Sequence, residues 1–239
     1  MEFPLLSDDT IESHAHETLV GFYSWLGRDI SMPVQAEVMA EQYLGYDIEV
    51  TSEGLFGNPD YLGGIVFDDY VIKINAAAET HEGRYNFTLA HEIGHHVLHR
   101  ALFLEQQTEI QKIVCRETGN KPLVEQQADR FAAALLMPES FVRAAFAQLD
   151  EGSLPKSAPN THALRALAGS VLVIGGFSNV SNTAMVNRLI DLRLVSGAKY
   201  QTGTPQDFLR KTPSLRWVIK NPLSRAAYRL LRWVRSLTR

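Results

Sequence analysis

The segment HEIGH at 91–95 contains three side chains whose types and spacing could do chemistry: His91, Glu92 and His95. On an α-helix, residues four positions apart lie on one face, so both imidazoles can reach a single cation. Glu92 lies beside that face, where its carboxylate is free to act as a general base on a water held by the metal. Zinc suits this chemistry because it lowers the pKa of such a water to about 7. The pattern predicts a hydrolytic metal site, and the alternative is a polar helix face whose histidines only pack or meet solvent.

The third metal ligand has to come from elsewhere, because a catalytic zinc site normally has three protein ligands and one open position. His99 continues the row of histidines, but on a straight helix it lies ~12 Å along the axis from His91. One ion cannot contact both residues. We therefore expect His99 to pack or to support a ligand, and we expect the same of His96, which points off the face.

A second segment, EQQAD at 125–129, offers better candidates. Glu125 and Asp129 share one face of a predicted helix, whose alanines would let it approach the first helix closely. Glu125 is the expected third ligand, and Asp129 is expected to accept a hydrogen bond from the outer nitrogen of His91 and so select its tautomer. Alone, such a pair of acids is more typical of a solvated helix edge. On an otherwise apolar helix thirty residues after the histidines, it favours a metal site.

Two further groups of residues have suitable types but weaker arguments. The first precedes the histidine helix and could stabilise an oxyanion, although surface or packing positions are the favoured interpretation: His81, Arg84 and Tyr85. The second lies in the acidic N-terminal segment, where solvated side chains are expected rather than a metal site: Glu12, His14, His16 and Glu17.

The elements that position the candidate ligands are predicted from apolar spacing and from turn and capping residues. Before the histidines, the chain is predicted to form a helix over 33–44 ended by Gly45, a strand over 48–51, a glycine-rich loop over 54–64 and a β-hairpin over 65–74. Asn86 is the expected cap of the histidine helix, which runs to about 103, and Pro122 is expected to open the next helix, which ends before Pro138. Two later helices are expected over 163–168 and 183–194, the second capped by Ser181.

Charge is unevenly distributed along the chain. The full sequence holds 23 Lys and Arg against 27 Asp and Glu, a net charge of -4. Residues 201–239 hold nine basic side chains and one acidic one, so this tail carries +8 and the first 200 residues carry -12. Apolar residues recur every three or four positions over 221–239, which predicts a basic amphipathic helix. Three partners compete for it: the chain's own acidic body, which is favoured, an anionic membrane surface, and DNA or an acidic partner.

Composition and cysteine usage favour an ordinary globular protein of a reducing compartment. Hydrophobic residues make up 45% and charged residues 21%, which excludes disordered, collagen-like and coiled-coil classes. Cys115 is the only cysteine, so no intramolecular disulfide forms. The N-terminal residues lack the pattern of a signal peptide, and the most apolar later run, 171–177, is too short to span a bilayer. We expect a cytoplasmic protein.

The two candidate segments also resemble a known family. The stretch FTLAHEIGHHVLH at 87–99 resembles the signature helix of the ImmA/IrrE metallo-endopeptidases, and EQQADRFAAALLMP at 125–138 resembles their second motif. Asp129 stands where the family usually has Asn, a change that keeps a hydrogen-bonding side chain. The stretch GFSNVS at 176–181 is similar to part of the family's C-terminal helical element. The resemblance covers roughly 33–195, and residues 1–30 and 200–239 lie outside it.

The resemblance implies a zincin-like α+β fold with a small sheet beside the active-site helix, where an edge strand could bind a peptide by strand addition. It implies a zinc-dependent endopeptidase in which His91, His95 and Glu125 bind one ion, Glu92 is the general base and Asp129 supports His91. Manganese also fits two imidazoles and a carboxylate. The implied substrate is a helix-turn-helix transcriptional repressor, whose cleavage derepresses phage, mobile-element or stress genes. No direct nucleic-acid binding by the core is expected.

Two other functions stay open at this point: a module that sequesters a regulator without cutting it, and a zinc peptidase acting on unrelated cytoplasmic proteins. The expected organisation is an N-terminal extension at 1–30, a zincin-like core at 31–150, a helical element at 151–200 and the basic amphipathic tail at 201–239. A proline- and glycine-containing linker is expected within 150–160.

Overall fold

The computed structural model describes residues 4–52, 54–55, 61–105, 112–115, 122–149 and 161–195. The helices in these ranges are α1 (Asp8–Leu26), α2 (Ala36–Val38, continued by a π-helical turn at Met39–Tyr43), α3 (Ala76–Glu79), α4 (Glu82–Glu105), α5 (Leu123–Leu136), α6 (Glu139–Phe146), α7 (Thr161–Gly175) and α8 (Asn182–Asp191). The strands are β1 (Asp47–Thr51), β2 (Gly63–Val66), β3 (Val71–Asn75) and β4 (Lys112–Cys115). The expected α+β class is confirmed. The predicted tail at 201–239 and the linker expected at 150–160 lie outside the described residues.

The four strands form one sheet in the order β1-β3-β2-β4. The predicted hairpin is present: β2 and β3 are antiparallel, with Ile65 opposite Ile72. β1 pairs with β3 in parallel, and β4, which the sequence did not predict, pairs with β2. Both hairpin strands are therefore internal, and the edges of the described sheet are β1 and β4. Addition of a peptide strand would have to occur at one of those two edges.

Two sequence expectations about element starts were wrong. The loop expected over 54–64 ends earlier, because Gly63 and Gly64 belong to β2. α4 begins at Glu82 and not at Asn86, whose side-chain amide instead donates to the carbonyl of Glu82 inside the helix. Gly83 permits this early start: a Cβ there would lie 2.6 Å from the backbone nitrogen of Ser181, so the first turn of α4 packs directly on the chain that leads into α8.

The N-terminal segment expected to be an extension contains a well-capped helix that packs on α5. Ser7 caps α1 by accepting a hydrogen bond from the backbone N–H of Thr10. Gly27 ends α1 in the left-handed conformation at φ 67°. One face of α1 is buried in the same core as α4 and α5, and its members are Ile11, Ala15, Leu19, Phe22 and Tyr23. The core that holds the candidate site therefore includes residues upstream of 31.

Two buried polar contacts connect the C-terminal helices to this core. Arg188 of α8, 1% exposed, donates from Nε to the carbonyl of Met137 at 2.9 Å and pairs through its guanidinium with Glu12 of α1. Glu12 was expected to be solvated, and the structure corrects this. Asn179 donates to the carbonyl of Val34 at 2.8 Å. The predicted cap of α8 is confirmed, since Ser181 accepts from the N–H of Ala184.

Across the described ranges, no helix combines the length and apolar character needed to cross a bilayer.

Candidate metal centre

α4 and α5 cross closely at a glycine and an alanine, and this crossing creates the site. A Cβ on Gly94 of α4 would lie 3.2 Å from the carbonyl oxygen of Ala128 and 3.1 Å from the ring of Phe131, both on α5. The small residues let the helix backbones approach. On α4, His95 directly follows Gly94, and His91 precedes the glycine by three positions. Both histidines face Glu125 on the first turn of α5.

The three predicted ligands converge on one point. Nε2 of His91 lies 3.1 Å from Nε2 of His95, and each of these nitrogens lies 3.2 Å from a different carboxylate oxygen of Glu125. All three residues are buried, and their candidate ligand atoms lie within 4.8 Å of one another. Ligand atoms at ~2.0–2.1 Å from a tetrahedral zinc ion lie roughly 3.3 Å apart. The separations in the structure therefore fit one metal ion of this size.

The electrostatics of the three residues depend on their mutual contacts. Burial opposes ionisation of Glu125, but hydrogen bonds with His91 and His95 outweigh it and hold the pKa of the carboxyl well below its usual range. Burial also acts against charge on His91, but hydrogen bonds to Asp129 and Glu125 outweigh it and raise the pKa of His91 to about 9. For His95 burial wins and lowers the pKa to about 4. These contacts favour a charged His91 beside an ionised Glu125, with His95 neutral.

Asp129 contacts the ring of His91. Its Oδ1 lies 2.9 Å from Nδ1 of His91, the ring nitrogen that faces away from Glu125. A carboxylate can only accept here, so Nδ1 of His91 carries a proton and donates it. With a neutral ring, the lone pair then lies on Nε2, which is the nitrogen that faces His95 and Glu125.

Glu92 is fully buried between α4 and β2. The strand passes it at Gly63, where a Cβ would lie 2.5 Å from Oε1 of Glu92 and 2.6 Å from Cγ2 of Thr88. Only a residue without a side chain leaves room for the carboxylate in this position. Sequence reasoning missed Gly63, although a glycine pair beside an apolar strand is a recognised signal of close approach by another group.

His99 also supports the site and does not join it, as expected. Its Nδ1 lies 3.1 Å from Nδ1 of His95, and its Nε2 lies 2.9 Å from Oε1 of Gln127 on α5. Burial lowers the pKa of His99. Gln127 could not be predicted as a partner of His99, because a glutamine on a helix carries no pattern that identifies it as one.

The weaker candidates have local contacts. Arg84 donates to the carbonyl of Ala77 at 3.0 Å, Tyr85 is partly buried against the core, and His81 is exposed. His14 lies 3.7 Å from Glu17 on the surface of α1.

His96 faces away from the ligands, also as expected. Nδ1 of His96 lies 2.8 Å from the hydroxyl of Tyr46, at the start of β1. This contact ties α4 to the sheet and does not involve the buried ligand group.

The comparison with protein families agrees with this geometry. Residues 46–155 match the family model described as the IrrE N-terminal-like domain, a peptidase family. The match spans the sheet, α4 and α5, and so contains all of the residues that converge at the site. A search of curated proteins finds no match to the chain. The ImmA/IrrE resemblance is confirmed: residues 46–155 of this chain are an IrrE N-terminal-like domain of the metallopeptidase type.

Proposed function

We propose that the chain is a zinc-dependent endopeptidase that hydrolyses a peptide bond in a protein substrate. The observation that carries the proposal is the convergence of His91, His95 and Glu125 within 3.2 Å of one another in a buried group, beside the fully buried carboxylate of Glu92. Two imidazoles and one carboxylate are the ligand set of several catalytic zinc sites. The residues present therefore fit the ion that the family implies.

His91, His95 and Glu125 would hold the ion, with Nε2 as the ligand atom of each histidine. When bound, zinc supplies a Lewis acid and an acidified water at the peptide bond. Asp129 keeps the proton of His91 on Nδ1 and so keeps Nε2 available. Glu92 accepts a proton from the attacking water and returns it to the leaving amine nitrogen. Gly63 leaves the space in which the Glu92 carboxylate sits.

The proposed substrate is a helix-turn-helix transcriptional repressor, and the support for this choice is the family match over residues 46–155. Specificity for such a substrate depends on contacts at the protein surface, outside the buried ligand group. The role proposed for the basic tail, 201–239, is to influence location or choice of partner while the chemistry stays in the core.

The experiment uses the full zinc-loaded chain and a candidate helix-turn-helix regulator, chosen from the neighbouring genes where one of them encodes such a protein. We expect two fragments from one cleaved bond, loss of cleavage with a chelator and its return with added zinc, followed by mass spectrometry of the fragments. Metal analysis of the purified chain distinguishes zinc from manganese. Release of the regulator from DNA without fragments would support sequestration instead. Cleavage of unrelated proteins at a similar rate would support general peptidase activity.

A further inference from the structure

A chain of three hydrogen bonds leads from His95 to the N-terminal segment of the protein. Nδ1 of His95 lies 3.1 Å from Nδ1 of His99, Nε2 of His99 lies 2.9 Å from Oε1 of Gln127, and Nε2 of Gln127 donates to the carbonyl of Pro4 at 2.8 Å. The side chains of His95, His99 and Gln127 are all buried, with at most 3% of each residue exposed.

The direction of all three hydrogen bonds follows from the last one, between Gln127 and Pro4. A backbone carbonyl only accepts, so Gln127 must present its amide NH2 to Pro4. Its Oε1 then faces His99 and accepts, which places the His99 proton on Nε2. A neutral His99 therefore has its lone pair on Nδ1, and the proton between the two histidines belongs to Nδ1 of His95. The lone pair of His95 is then left on Nε2, as a metal ion requires. Without the ion, the carboxylate of Glu125, an acceptor 3.2 Å from Nε2, favours a proton on Nε2 instead.

We propose that His99 and Gln127 are positioning residues that hold the proton of His95 on Nδ1 and so present its Nε2 lone pair to the metal. The inference rests on the proposed function, since it assumes that His95 is a metal ligand. In this assignment each ligand histidine has its own partner. The carboxylate of Asp129 orients His91. The neutral side chains of His99 and Gln127, which we call the relay, orient His95.

The relay also gives the N-terminal segment a role at the metal centre. Pro4 lies outside the matched domain at 46–155, yet its carbonyl sets the orientation of the Gln127 amide. Because the segment continues into α1, which packs on α5, the position of the carbonyl is held by the fold. The segment that precedes the peptidase domain thereby contributes to a ligand inside it.

The test compares three variants of the full chain: His99→Leu, His99→Asn and Gln127→Met. Leucine at 99 removes the acceptor that faces His95. Asparagine at 99 keeps an acceptor oxygen near the position of Nδ1. Methionine at 127 keeps the length of the side chain but removes both its acceptor and its donor. Zinc affinity is measured by competition with a chromophoric chelator, and thermal unfolding of the zinc-free chains shows which variants fold.

We expect zinc binding about 10- to 100-fold weaker in His99→Leu, the range typical of lost partners of metal-ligating histidines. In His99→Asn we expect most of the affinity to return. The second readout is the nitrogen NMR spectrum of histidine-labelled, zinc-free chain. It should show His99 protonated on Nε2 in the wild type and a mixture of both tautomers in Gln127→Met, a change that altered packing alone does not produce.

Equal zinc affinity in the wild type and in folded His99→Leu would overturn the inference, and so would a wild-type His99 protonated on Nδ1. If the leucine variant does not fold, the NMR comparison with Gln127→Met decides. A wild-type chain that binds no zinc would instead contradict the proposed function, and the tautomer measurement would still test the relay.

Discussion

Gly63 of β2 and Glu92 of α4 approach so closely that a Cβ at position 63 would lie 2.5 Å from Oε1 of the carboxylate. The same Cβ would lie 2.6 Å from Cγ2 of Thr88. The end of the flexible Glu92 side chain can move aside, whereas the β-branched Thr88 side chain yields less easily. This contact connects the sheet to the proposed general base. β2 limits where the carboxylate of Glu92 can lie, and glycine at position 63 permits β2 to approach it closely.

Gly63→Ala is expected to fold with a stability lower by about 1–3 kcal/mol, because Thr88 must also shift. It should keep its zinc but lose activity, because Glu92 would be displaced from the attacking water. A displacement of about 1 Å can cost ~100-fold in rate, and we expect a loss of this size in kcat with normal zinc content by metal analysis. The control is Gly169→Ala in α7, whose Cβ would lie 3.4 Å from the side chain of Asn182 in α8, away from the site. Full activity of Gly63→Ala would show that the close approach has no catalytic role.

Gly94→Ala should act on the helix crossing. The added Cβ would lie 3.1–3.3 Å from Phe131 and from the backbone of Ala128, so α4 and α5 would have to separate slightly. Overpacking of this kind typically costs about 1–3 kcal/mol, and separation also moves Glu125 away from the two histidines. We expect a lower free energy of unfolding in denaturant titrations together with weaker zinc binding. Unchanged zinc affinity would argue against the crossing as the feature that sets the ligand separation.

Zinc uptake should release protons near neutral pH. The metal-free protein keeps a proton on His91 up to a pKa of about 9, because Asp129 and Glu125 stabilise the charged ring, whereas a ligand nitrogen must be unprotonated. Zinc affinity should rise with pH until about 9. Calorimetry at pH 7.5 in two buffers of different ionisation enthalpy should give about one proton released per zinc ion. Asp129→Asn should reduce this number, since the charge that holds the proton is removed.

The same proton makes the stability of the metal-free chain depend on pH. The pKa of His91 is raised from 6.5 to about 9 in the fold, so its contribution to stability is fully present below pH 6.5. The contribution is lost as the pH rises towards 9. Denaturant titrations of metal-free protein should show falling stability over this interval. A rise over the same interval would contradict the assigned charge of His91.

Arg188→Met should destabilise the protein strongly. The guanidinium is buried and satisfies both the Met137 carbonyl and the Glu12 carboxylate, so its removal leaves two partners without their donor. Breaking such a buried pair costs about 3–5 kcal/mol, and partial exposure of Glu12 places the expected loss near the lower end. Arg143→Met removes an exposed pair with Glu139 on one helix turn and a 3.3 Å hydrogen bond to the carbonyl of Leu192. It should change stability by about 1 kcal/mol or less. Similar losses in the two variants would refute the importance of the buried contact.

Local patterns in the sequence account for much of the site. The spacing of His91 and His95 depends only on helix geometry, and the contact between Asp129 and His91 follows once α4 and α5 lie side by side. The hairpin and the cap at Ser181 are equally local features, which is why they could be predicted. β4 could not, because a four-residue strand takes its identity from the neighbour it pairs with.

The unpredicted contacts all join residues far apart in the sequence. Gly63 matters only because β2 crosses Glu92, and Arg188 is buried only because Glu12 of α1 reaches it. Gln127 matters through Pro4, 123 positions away. Composition made the N-terminal segment look like an extension, since acidic residues are interspersed among its apolar ones. Such contacts can be recognised only when the packing of the helices and strands is known, and no single segment of the sequence determines that packing.

The most direct test of the central claim is Glu92→Gln in the full chain, with zinc content and cleavage measured on the same preparation. Because Glu92 is beside the ligand group and not part of it, the variant should retain about one zinc per chain while losing the base that takes the proton from water. We predict normal zinc content and no cleavage product from the regulator that the wild type cuts. Full cleavage by the zinc-loaded variant would contradict the assigned mechanism.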